Sequence, residues 1–187
     1  MRAFALLSIL LAVQAPLHAA AEAPAAEPAP IALHALDCNL PFAAFDYQPL
    51  VVQDFAEMVE KFAERAAAGN HCAQFELGMM YLNGVGVEKS PEQGVTLLRQ
   101  AADKGHADAQ HTLGLMYNHG RNVDRDVTAA MEWYYQAGLS YLRWDNRRLA
   151  LREIDYISRE DPGNAHIQQL RDAIHEHWMA SQRMSAN

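Results

Sequence analysis

The chain reads "ELGMMYLNGVG" from Glu76 to Gly86, and thirty-six residues later it reads "TLGLMYNHGRN" from Thr112 to Asn122. Leu77, Gly78, Met80, Tyr81 and Gly84 return as Leu113, Gly114, Met116, Tyr117 and Gly120. The register extends beyond the quoted stretch. Gly69 matches Gly105, Ala73 matches Ala109, Gln74 matches Gln110 and Val87 matches Val123. Upstream, Val59, Phe62 and Ala66 fall thirty-six residues before Val95, Leu98 and Ala102. A hairpin of two helices this short cannot bury its apolar faces alone, and copies stacked on one another can. The period therefore predicts an all-α chain, a short α-solenoid of stacked helix hairpins.

Hydrophobic spacing and punctuation place the helices. Val52, Phe55, Val59, Phe62 and Ala66 recur at three or four residues, and Gly69-Asn70 ends that helix. The first full hairpin is expected over 71–83 and 90–104. "NGVGV" supplies its turn, where glycine accepts positive φ. In "SPEQ", Ser90 is expected to cap, Pro91 to open the helix and Gln93 to complete a capping box. The second hairpin is expected over 106–118 and 126–143, with Asp126 as cap and Asn122 in place of the loop glycine. Gly78 and Gly114 sit inside helices, where Gly costs roughly 0.5–1 kcal/mol relative to Ala. Their repetition predicts close helix–helix approach, with Leu77, Tyr81, Leu113 and Tyr117 packing around them.

The motif resembles the Sel-one-like repeat (SLR) family, a relative of the tetratricopeptide repeats. Gly105, Ala107, Ala109, Leu113, Gly114, Tyr117, Gly120, Val123, Asp126, Ala130, Trp133, Tyr134 and Ala137 carry the resemblance in the second copy. Gly69, Ala73, Leu77, Gly78, Tyr81, Gly84, Gly86 and Val87 carry it in the first. The first copy departs at Gly94 and at Leu97-Leu98, where the family has Ala and Trp-Tyr. After Ala137 the chain is more similar to an ordinary tetratricopeptide unit, through Gly138, Tyr141, Ala150, Ile154 and Pro162. One long helix from Asp126 to about Trp144 then serves two repeats, Arg147 to Glu160 returns, and a polar helix from Ala165 caps the stack.

The resemblance implies a concave groove lined by the first helix of each pair. Positions three before and one and four after the repeated glycine would face it. These are Phe75, Met79 and Leu82, then His111, Leu115 and Asn118, then Tyr135 and Leu139 with Leu142. The same positions suit a core equally well. Function on such a platform is binding of a protein or peptide partner, as an adaptor or scaffold. The alternatives are an envelope enzyme, hydrolytic or thiol-active, and a permanent structural assembly subunit.

Composition narrows the setting. The chain has 187 residues and a net charge of −8, with no basic stripe to follow a phosphate backbone. Nucleic acid is not an expected partner. Residues 1–21 read as a signal peptide: Arg2, the apolar run "AFALLSILLAV", Pro16 and small residues at Ala19 and Ala21. The run is too short to span a bilayer, which needs ~20 apolar residues, so no stable membrane insertion is expected after cleavage. The expected location is periplasmic or secreted. Residues 22–49 read as an Ala/Pro-rich tether followed by an apolar docking segment, and 50–187 as the helical repeat domain. An oxidising compartment favours a disulfide between Cys38 and Cys72, worth ~3–4 kcal/mol for a loop of about 35 residues.

Chemistry-bearing patterns are sparse. His34, Cys38, His71 and Cys72 lack a structural zinc spacing, and His175 and His177 project from different helix faces. "GVG" is an interhelical turn rather than the exit of a strand onto a phosphate. Neither a cofactor nor a catalytic set is expected.

Overall fold

The structure, a computed structural model, describes residues 52–185. The expected signal peptide, tether and docking segment, with Cys38, lie outside the described residues. Seven helices follow one another: α1 (Val52–Ala67), α2 (His71–Asn83), α3 (Pro91–Asp103), α4 (Ala107–His119), α5 (Val127–Arg143), α6 (Arg147–Glu160) and α7 (Ala165–Ser185). Each packs on the next, and α7 also returns to α5. Among the described residues there is no strand, and the arrangement is an all-α repeat solenoid.

The repeated residues make repeated bonds. Asn70 caps α2 by accepting the Ala73 N–H at 2.9 Å, and His106 caps α4 by accepting the Ala109 N–H at 3.2 Å. Gln74 Nε2 reaches back to the Ala66 carbonyl at 3.2 Å, as Gln110 Nε2 does to Ala102 at 2.9 Å. Each glutamine thus adds a second bond to a last-turn carbonyl that also accepts a backbone N–H, from Gly69 and Gly105 respectively. Gly84 and Gly120 close α2 and α4 in the left-handed region, at φ 74° and 65°. Asn122 takes φ 61°, the conformation expected of it. The turns then close alike, Ser90 N–H donating to the Tyr81 carbonyl and Asp126 N–H to the Tyr117 carbonyl. The capping box at Ser90 does not form: Ser90 occupies the cap position without a side-chain bond, whereas Asp126 accepts the Ala129 N–H at 3.0 Å.

The repeated glycines lie where the helices of each pair touch. A Cβ on Gly78 would sit 3.1 Å from the Gly94 carbonyl oxygen and 3.3 Å from Leu98 N. A Cβ on Gly114 would sit 2.5 Å from a ring carbon of Tyr134. The family departure at Gly94 has a local reason, since a Cβ there would meet Leu82 Cγ at 2.6 Å. In the second copy the equivalent pair is Asn118 and Ala130: the residue on the first helix is smaller than Leu82, and the second helix carries a Cβ. Leu98, Leu113 and Tyr134 are fully buried in two apolar clusters, one centred on α2–α4 and one on α4–α7.

Candidate partner-binding face

The expected groove positions fall on α2 and α4, the first helices of the two Sel-one-like hairpins, and on α5, which the sequence reading shares between the second and third units. Phe75, Leu82 and Asn118 are buried; Met79, His111, Leu115, Tyr135 and Leu139 are partly buried. Phe75 stacks on His106 with ring centroids 4.5 Å apart, and Tyr135 stacks on His166 at 4.4 Å. His111 and Asn118 face α6: His111 Nδ1 lies 2.9 Å from Glu153 Oε2, and Asn118 Nδ2 donates to Glu160 Oε1 at 3.1 Å.

Glu153 is the polar centre of this seam. It is wholly buried, and Arg152 donates to its other oxygen at 3.2 Å. A buried carboxylate is tolerated only when its oxygens are engaged in this way. Around it the rings of His111, Tyr134 and Tyr156 lie 5.0–5.8 Å apart. Burial pushes the Tyr134 phenol up. The hydroxyl meets no partner in hydrogen-bonding geometry, although the Asn118 side chain beside it eases that push. Periodicity could not reveal this seam, because Glu153, Tyr156 and Glu160 lie on α6, outside the two matching copies.

A second polar group joins α4 to α5 beside α2. Tyr141 donates to Asp108 Oδ1 at 2.5 Å, and burial pushes the Tyr141 phenol up. Glu76 is half-buried rather than solvent-facing. Burial, followed by repulsion from Asp108, raises its carboxyl to about 7. Glu76 sits inside the quoted motif, but nothing in the motif shows that Asp108 will be its neighbour.

At the α2–α4 edge, ligand atoms of His71, Cys72 and His106 lie within 4.8 Å of one another. Burial holds His106 down to about 4 and also lowers His71. Neutral imidazoles suit a metal, but the His106 Nδ1 lone pair already accepts the cap bond of α4. Coordination through that nitrogen would give up the cap, at about 1 kcal/mol.

Comparison with known proteins follows the same boundaries. The Sel1 repeat family matches residues 73–106 and 107–140. A crystal structure of c5321, described as a protective antigen present in uropathogenic Escherichia coli strains displaying an SLR fold, is 27% identical with a TM-score of 0.53. The match covers 71% of this chain and 29% of that one, so the chain spans less than a third of its relative's length. A Sel1 repeat protein from Oxalobacter formigenes is 30% identical over 61% of this chain and 97% of that chain, with a TM-score of 0.42. Comparison with curated proteins finds no match. No described helix is long and apolar enough to cross a membrane. Sel1 repeats are modules of protein–protein interaction and are typically non-catalytic. Two consecutive repeats match the family model, and the chain covers nearly the whole of a 30% identical Sel1 repeat protein, so the chain belongs to the Sel1-repeat family.

Proposed function

We propose that the chain is an exported adaptor or scaffold that holds a protein or peptide partner on the face built by α2 and α4. The observation that carries this reading is the tandem of Sel1 hairpins, which sets α2 and α4 in the same register. His111 and Asn118 are engaged by α6, so Met79 and Leu115 supply the apolar part of the face. Partly buried methionine is suited to a partner surface because it repacks easily.

Export follows from residues 1–21, whose charge, apolar run and small residues have the order of a secretory signal. The expected compartment is the periplasm or the medium. The Cys38–Cys72 bond belongs to the same reading. An oxidising compartment is what favours that bond.

Photocrosslinkers placed at Met79, at Leu115 and at the exposed Glu92 of α3 test the reading in native cells. One protein captured from the first two sites and not from the third is the expected result. Equal capture from all three sites, or none from any, overturns it. Intact mass of the cell-envelope protein should begin after Ala19 or Ala21; a retained Met1 refutes export.

A further inference from the structure

We propose that the open end of the solenoid, between the start of α6 and the last turns of α7, is a separate docking site for an acidic peptide segment that carries an apolar side chain. The proposal rests on the protein-binding reading and assigns it a second place and a partner chemistry.

Helix lengths create the site. α6 has 14 residues and α7 has 21. The two run antiparallel, so at 1.5 Å per residue α7 outruns α6 by about 10 Å. The buried stripe of α7 runs Ile167, Leu170, Ile174 and stops. Beyond it Trp178, Met179 and Met184 are exposed, and so are Trp144 and Leu151 beside the start of α6. These five are the large exposed hydrophobic residues among the described ones, and all lie in the last quarter of the chain. A solenoid whose end faces only water is normally capped by a polar surface.

Between these elements is an open cavity of about 510 Å³. Leu151 and Trp178 give it an apolar wall, and Arg147 and Arg148 a cationic one. Neither guanidinium has an ion pair or hydrogen bond among the described residues. The acid on the rim, Asp145, lies 3.7 Å from His177 instead. Asn146 caps α6 by accepting the Leu149 N–H, so the positive end of the helix opens on the same space. The charge stands against that of the whole: the net −8 lies entirely before Arg143, since Arg143 to Asn187 holds seven acids and seven bases.

Charge selects the occupant. A second copy docking through the same face would set Arg147 and Arg148 against their own counterparts, which is repulsive. A concave opening with one apolar and one cationic wall fits a protruding apolar side chain flanked by carboxylates, and a flat anionic bilayer fills it poorly. Arginine is the better-suited cation here, because its fork takes a carboxylate with two hydrogen bonds.

The test selects a random dodecapeptide library on the full chain, then measures labelled winners by fluorescence anisotropy. The expected winners carry Asp or Glu beside Leu, Phe or Trp. Their Kd should rise about tenfold or more in Arg147→Glu/Arg148→Glu and also in Trp178→Ala. Both sites are exposed, so circular dichroism should show the variants folded. Winners without acidic enrichment, or no winners, overturn the proposal. So does cosedimentation with phosphatidylglycerol vesicles that the double arginine variant abolishes while no peptide is selected. Acidic winners that bind the double variant unchanged refute this location but leave partner binding at α2 and α4 intact, and the crosslinking experiment decides that separately.

Discussion

Gly114→Ala adds one methyl group, and the structure fixes where it goes. The new Cβ would lie 2.5 and 2.6 Å from two ring carbons of Tyr134. Carbon atoms pack best near 3.5–4.0 Å, so the shortfall is about 1 Å. The ring has nowhere to retreat. Tyr134 is fully buried, and Tyr156 stacks on it with centroids 5.0 Å apart. Either α4 and α5 separate or the Tyr134–Tyr156 stack is broken, an overpacking cost of about 1–3 kcal/mol. Replacing a mid-helix glycine returns up to ~1 kcal/mol of helix propensity. The net expectation is a loss of about 1–2 kcal/mol, or a Tm lower by roughly 3–8 °C for a domain of this size. Gly78→Ala is the internal control. Its Cβ would meet the Gly94 oxygen at 3.1 Å and Leu97 Cβ at 3.3 Å, so shifts of a few tenths of an ångström accommodate it. Propensity and crowding then nearly cancel, within ~1 kcal/mol of zero. Urea denaturation of both variants, with Tm by circular dichroism, makes the measurement. A Gly114→Ala protein as stable as the parent, or losses of equal size at the two sites, would refute the account of the repeated glycines.

Glu76→Gln should stabilise the protein above pH 7 by roughly 1–3 kcal/mol, because burial beside Asp108 raises the carboxyl to about 7 from an ordinary value near 4.5. Between those values the folded chain binds the proton more tightly, so the parent loses stability as pH rises from about 4.5 to 7. The difference between variant and parent, measured by urea melts across that window, should grow with pH, and a flat difference sinks the assignment. Glu153→Ala should cost about 2–4 kcal/mol by stranding His111 and Arg152, well beyond Glu160→Ala, whose carboxylate is partly exposed and 4.0 Å from Arg125. Equal costs in a denaturation series would show that the seam is not held by Glu153. If the Cys38–Cys72 bond holds the apolar segment before α1 in place, reduction should lower the Tm and speed proteolysis between Ala32 and Gln48 while leaving 69–137 intact; unchanged cleavage rates would show that it does not.

The hairpins were legible because each repeat-defining residue has a job that recurs in the same place. Gly78 and Gly114 let helices touch, Gln74 and Gln110 close the end of the previous helix, and Gly84 and Gly120 turn the chain. A job done twice leaves a period. The seam between α4 and α6 is made once, by Glu153 and Glu160 against His111 and Asn118, and leaves no period. The same limit explains Ser90, which stands where Asp126 stands yet makes no cap bond. Equal position in the repeat settles the backbone, while the side-chain bond is settled locally.

The two repeats also show what the groove positions can and cannot vary. Leu82 and Asn118 occupy equivalent places, yet Leu82 fills the space over Gly94 while Asn118 turns its amide to Glu160. The first choice buries the position within its own hairpin, and the second spends it on the next repeat. Phe75 and His111 divide in the same way, one stacked on His106 and the other bonded to Glu153. The outer positions Met79 and Leu115, by contrast, stay partly buried and apolar in both copies. A partner laid across α2 and α4 would therefore meet Met79 and Leu115, with the polar groups of His111 and Asn118 already committed to holding α6. On the proposal above, specificity comes from the α6–α7 end, where Arg147 and Arg148 have no ion pair among the described residues and stand beside Trp178.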